Sequence, residues 1–135
     1  MANLKISEGN KGVYKQNLIK SNKVIVSSSK YGYGLFCISP IKRGEIIEEC
    51  VVMTDRIQHD SPEMQNYVFR GNEVYRDIYD KVLPAGLVTL VNHSFNNNNI
   101  DIEQNLNFER LLYVFAIRDI MPGEEILWNY GYQPK

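Results

Sequence analysis

Apolar and polar positions alternate along this chain in stretches of strand length, cut by glycine, proline and serine. Val24-Ile25-Val26 is β-branched and ends at Ser27-Ser28-Ser29, after which Lys30-Tyr31-Gly32-Tyr33-Gly34 places two glycines around one aromatic residue and reads as a turn. Leu35-Phe36-Cys37-Ile38 is a second apolar run. Pro40 and Lys42-Arg43-Gly44 supply the next turn, and residues 45–52 follow as a third strand. Residues 54–66 are polar, and residues 63–80 fit a short helix or a loop with hairpin character. Residues 83–91 lead into Asn92-His93-Ser94 and a run of four asparagines. Beyond them Ile100 and Ile102 alternate with acids, and Leu111-Leu112-Tyr113-Val114-Phe115-Ala116-Ile117 is the most strand-like run of all. Residues 119–123 form a turn before a closing strand that carries Trp128, Tyr130 and Tyr132. Short strands separated by glycine turns predict a mainly β, antiparallel domain.

Composition narrows what such a domain could do. At 135 residues, 44% of them hydrophobic, the chain suffices for one core. Residues 1–22 are polar and broken by Gly9, Asn10 and Gly12, so they read as an arm, with the domain over 23–132 and a tail at 133–135. Fifteen basic and sixteen acidic residues leave a formal charge of -1, which disfavours direct nucleic-acid binding. No apolar run is long enough to cross a bilayer, and MANLKISEGNKG lacks the apolar segment of a secretory signal; a soluble, intracellular protein with no membrane partner is expected. Cys37 and Cys50 lack the short spacing of a zinc pair, and His59 and His93 are the only histidines, so no metal is assigned.

Taken one at a time, the candidate motifs have plain explanations. Gly32 and Gly34 lack the G-x-G-x-x-G spacing of a dinucleotide site and suit a simple turn. His93 with Cys37 or Cys50 would suggest a nucleophile and base, yet neither cysteine sits in a motif that lowers its pKa. Asn92-His93 could simply satisfy backbone groups at a strand end, with the asparagines as a turn-rich loop. Glu124-Glu125 follows Met121-Pro122-Gly123 and reads as a solvated turn with a structural role.

The order and spacing of these motifs are more specific than any one of them. Gly32-x-Gly34-Leu35-Phe36, then Ile41-Lys42-Arg43-Gly44-Glu45-Ile46-Ile47-Glu48, then Asn92-His93-Ser94, then Gly123-Glu124-Glu125-Ile126-Leu127-Trp128-Asn129-Tyr130-Gly131 resemble the SET domain of protein-lysine methyltransferases. The resemblance covers about residues 23–132, with a variable insert between Thr54 and Leu87. It implies a SET fold of small curved β-sheets whose carboxyl-terminal segment threads beneath a loop as a pseudoknot. It further implies that S-adenosyl-L-methionine binds on one face and that a lysine of a protein or peptide substrate enters from the other. In those terms the cofactor would meet the backbone of Tyr31, Gly32 and Tyr33, together with Asn92, His93, Tyr130 and Tyr132. Tyr130 would be the catalytic residue, and Cys50 and Trp128 would line the lysine channel.

The implied reaction is a direct displacement in which a lysine nitrogen attacks the methyl carbon of a sulfonium. The lysine, with a solution pKa of about 10.4, must first lose its proton. An apolar channel and the neighbouring positive sulfur both disfavour its charged form, which leaves Tyr130 the task of alignment. Cys50 stands where many SET domains carry a channel tyrosine, and Trp128 where phenylalanine or tyrosine is usual; both bear on how many methyl groups fit. The chain stops soon after Tyr130, without the cysteine-rich zinc segment common in the family. A partner subunit, as in a homodimer, or the first twenty residues would then complete the channel. The competing expectation is a SET-fold module that binds a peptide or partner without turnover.

Overall fold

The computed structural model describes residues 16–55, 81–105 and 110–131. Eight strands order them: β1 (Val24–Ser29), β2 (Gly32–Cys37), β3 (Ile46–Asp55), β4 (Lys81–Ala85), β5 (Asn92–His93), β6 (Ile100–Asn105), β7 (Leu111–Ala116) and β8 (Glu125–Trp128), with a 3-10 turn at Leu87–Leu90. They form a curled sheet in the order β1-β2-β8-β6-β7-β3-β4, and β5 joins the side of β8. The strand expected from residues 111–117 is β7, between β6 and β3. Its Leu111, Leu112, Val114 and Ala116 are all buried, as a run apolar on nearly every position requires. Ile100, Leu112, Ile120 and Ile126 are wholly enclosed, and each contributes about 1.5–3 kcal/mol by leaving water. The insert at 56–80, with His59, lies outside the described residues, as do residues 1–15, Tyr132 and the tail.

Three expectations change. The hairpin between β1 and β2 turns at Lys30-Tyr31, because Ser29 pairs with Gly32; Gly32, Tyr33 and Gly34 belong to β2 itself. The sheet is not purely antiparallel: β8 runs antiparallel to β2 but parallel to β5 and β6. The end of the expected arm is itself tied to the sheet, since Ser21 N–H donates to Ile47 O at 2.9 Å and Glu49 N–H to Ile19 O at 2.9 Å.

Parallel pairing leaves β8 with backbone groups that neither neighbour fully serves, and the fourth asparagine serves them. Asn99 is buried; its Nδ2 donates to Glu125 O at 2.8 Å and its Oδ1 accepts from Leu127 N–H at 2.9 Å. Its main chain adds an N–H to Leu127 O at 2.9 Å and accepts from Ile117 N–H at 2.9 Å. One side chain thus stands in for a piece of strand. Asn97 has a lesser part: its N–H donates to Ser94 Oγ at 2.9 Å and shapes the loop. The run of asparagines is therefore a loop with one buried clamp at its end.

Replacing Asn99 by alanine strands a carbonyl and an N–H of β8 inside the protein. Asn99→Ala is expected to cost about 2–4 kcal/mol, read as a lower urea midpoint, since each orphaned buried group costs roughly 1–3 kcal/mol. A midpoint within error of the parent would show that the clamp contributes nothing.

Candidate active site

Seating β8 beside β5 sets Asn92 opposite Leu127 and His93 opposite Trp128, and carries Tyr130 just past the strand end. His93 Nδ1 accepts from Tyr130 N–H at 2.9 Å, so a neutral imidazole carries its proton on Nε2. The His93 ring lies 4.9 Å from that of Tyr130 and meets Phe95 edge-on at 4.1 Å. The Tyr130 hydroxyl donates to Val91 O, one residue before β5. Main chain and phenol of Tyr130 are thus both tied to residues 91–93. Trp128 stacks obliquely 5.4 Å from Tyr130, packs against the core and directs Nε1 to Asp101 Oδ1 at 3.3 Å.

Asn92 lies at the centre of a second network. Its Nδ2 donates to Glu125 Oε2 at 2.7 Å, with Tyr33 O at 3.3 Å and Ser29 Oγ at 3.5 Å. Ser29 Oγ donates in turn to Glu125 Oε1 at 3.2 Å and accepts from Tyr31 N–H at 3.2 Å. All three neighbours of Nδ2 are oxygens, so the amide can present only its NH2 to them and its Oδ1 is turned elsewhere. The side chains of Tyr31 and Tyr33 are exposed; what this stretch offers Asn92 is the Tyr33 carbonyl.

The network also gives Gly34 a reason within the protein. A Cβ there would stand 2.5 Å from Glu125 Oε2, closer than real contacts allow, and a tight 3.0 Å from Asn92 Nδ2. Gly32 follows the hairpin turn with φ 109°, a conformation that suits glycine.

Glu125 is the site residue that sequence reasoning missed, because Glu124-Glu125 reads as one solvated turn. The available signal was alternation: neighbours entering a strand point to opposite faces. Glu124 indeed turns to the surface, accepting from Met121 N–H at 2.7 Å and Arg118 Nη1 at 2.9 Å. The Met121 N–H first, and Arg118 after it, hold its carboxyl below the ordinary carboxylate range. Glu125 points the other way, into the Asn92 network.

Cys50 is buried in β3 beside Glu48 and Gly86, where a Cβ on Gly86 would come within 2.5 Å of its Sγ. Burial first, and the Glu48 carboxylate second, push its thiol far above the ordinary value. Burial likewise raises Cys37, whose Sγ lies 2.9 Å from Ser39 O. Neither sulfur has the electropositive setting of a nucleophile, in line with the plain reading of both.

Hydrogen bonds, strand register and ring contacts join Tyr33, Gly34, Asn92, His93, Trp128 and Tyr130 through these networks. The family model described as "SET domain" matches residues 32–131. The chain belongs to the SET-domain family. It is 32% identical over 119 residues to a Plasmodium falciparum (isolate 3D7) protein named "Variant-silencing SET domain-containing protein", a match covering 80% of this chain and 5% of that protein. It is 27% identical over 128 residues to human "Histone-lysine N-methyltransferase 2B", covering 87% of this chain and 5% of that one. A crystal structure of a Plasmodium falciparum protein, solved as a candidate histone methyltransferase, superposes with TM-score 0.64 at 28% identity, over 84% of this chain and 96% of that chain. The Chaetomium thermophilum complex ctPRC2, "in an autoinhibited conformation bound to S-adenosylmethionine", does so with TM-score 0.61 at 26% identity, over 80% of this chain and 15% of that chain. The SET domain spans only about a twentieth of the two curated relatives named here.

The raised Cys50 thiol makes stability depend on alkaline pH. The unfolded thiol loses its proton near the ordinary value of 9.0 while the folded one keeps it, so stability is full below that pH and falls above it. The slope from one such group approaches about 1.4 kcal/mol per pH unit. Denaturation of the parent and of Cys50→Ser at about pH 8 and pH 10, under reducing conditions, should show a smaller loss in the variant. Equal losses would mean that Cys50 is not responsible.

Proposed function

We propose that this SET domain transfers a methyl group from S-adenosyl-L-methionine to the side-chain amine of a lysine in a protein substrate. The observation that carries the reading is the placement of Tyr130, tied by its main chain to His93 and by its phenol to Val91, beside an Asn92 amide of fixed orientation. Names of relatives, and the S-adenosylmethionine bound to ctPRC2, support the same chemistry. The residues present fit the cofactor: with Nδ2 committed to Glu125, Asn92 keeps Oδ1 as an acceptor for an ammonium group. Backbone of Tyr31, Gly32 and Tyr33, with Asn92, His93, Tyr130 and Tyr132, would hold it. When bound, the cofactor supplies an electrophilic methyl carbon on a positively charged sulfur.

The chain's own residues then have three tasks. Trp128 and Cys50 would wall the lysine path with apolar surface, which favours the neutral amine. Tyr130 would align that amine through its phenol oxygen, and orientation alone can remove several kcal/mol of barrier. His93 would hold Tyr130 in register by accepting its N–H. Threading of the carboxyl-terminal segment beneath loop 94–99 belongs to this reading, supported by the bonds from Ser94 N–H to Trp128 O at 3.0 Å and from Asn99 to β8.

The protein is expected to methylate lysines when incubated with labelled S-adenosylmethionine and histone peptides or a native lysate, read by mass spectrometry of modified lysines. An absence of saturable cofactor binding would instead point to the idle peptide-binding module. Tyr130→Phe should lower methyl transfer by about a hundredfold, as a misplaced reacting group does, while cofactor affinity changes little. Unchanged turnover would remove Tyr130 from the reaction.

A further inference from the structure

We infer that Glu125 is a positioning residue that fixes Asn92 and adds its own negative charge, so that the site selects ligands carrying a free α-ammonium group. The inference rests on the proposed reading of the site and deepens it. Glu125 sits half-buried in β8, and its partners among the described residues, the Asn92 amide and the Ser29 hydroxyl, are both neutral. Those partners satisfy its oxygens without balancing its charge. Reversing the Asn92 amide would set Oδ1 against Glu125 Oε2 at 2.7 Å, two acceptors face to face, so the carboxylate holds Asn92 with NH2 inward and oxygen outward. An ammonium group meeting that oxygen also meets the field of the carboxylate behind it. Gly34 completes the device, since any side chain there would push Glu125 out of place.

The test compares two probes on the full chain: S-adenosylhomocysteine, which has the α-ammonium group, and 5′-methylthioadenosine, which lacks the whole amino-acid portion. Glu125→Gln keeps size and removes charge, and Gly34→Ala displaces the carboxylate from a different strand. Both variants should bind S-adenosylhomocysteine about tenfold more weakly, the scale of a lost charge-assisted interaction, and bind methylthioadenosine as the parent does. Thermal melting of each variant checks that it is folded, and Glu125→Gln alone suffices if Gly34→Ala does not fold. Equal weakening for both probes would reduce Glu125 to a structural support, and no weakening for either would leave it without a role; each result overturns the inference. Failure of the parent to bind S-adenosylhomocysteine would instead overturn the cofactor reading itself, and this inference with it.

Discussion

The site depends on how β8 is held. A strand that pairs in parallel with β5 only at Asn92 and His93 and with β6 only at Ile100, and antiparallel with β2, cannot satisfy its backbone by ladder bonds alone, and burial makes every unserved group costly. Asn99 supplies the missing donor and acceptor from a side chain, while Ser94 and Asn99 add main-chain bonds on either side of the loop. With β8 so placed, His93 and Tyr130 meet without further adjustment.

Two pairs of consecutive glutamates show how the same strand geometry serves scaffold and site. In β3, Glu48 accepts from Leu87 N–H at 2.9 Å and Val88 N–H at 3.0 Å, holding the 3-10 turn that leads to Val91. Its neighbour Glu49 points to the other face and accepts from Ile19 N–H at 2.8 Å. At β8, Glu124 secures the incoming turn and Glu125 reaches Asn92. In each pair, successive side chains leave the strand on opposite faces and serve different neighbours. The carboxylates act chiefly as acceptors for N–H groups, which is how charges survive in a mostly apolar interior.

In the proposed reading, Trp128 and Cys50 would bear on the lysine path in different ways. Trp128 is anchored at its indole nitrogen and packed beside Tyr130, which holds a large ring near the proposed reacting groups. Cys50 belongs to the core under the Leu87–Leu90 turn, where Gly86 leaves room for its sulfur. Any effect of a small residue at position 50 would therefore reach the path through the packing of this turn as well as through lost volume.

The strands expected at residues 24–26, 45–52 and 111–117 were legible from their apolar, β-branched runs and from the serine, glycine and proline that bound them, because strand-length apolar stretches between turn residues favour a pleated, buried element. The order of the four motifs was legible too, and with it the family. Sequence alone could not show that Gly32, Tyr33 and Gly34 lie in a strand, that the last of four asparagines is the buried one, or that Glu125 faces Asn92. Those facts follow from contacts between residues far apart in the chain, such as Asn99 with Leu127 and Gly34 with Glu125. A local pattern records preferences of the backbone and of burial, whereas the partner of a polar side chain is settled only when distant strands are brought into register.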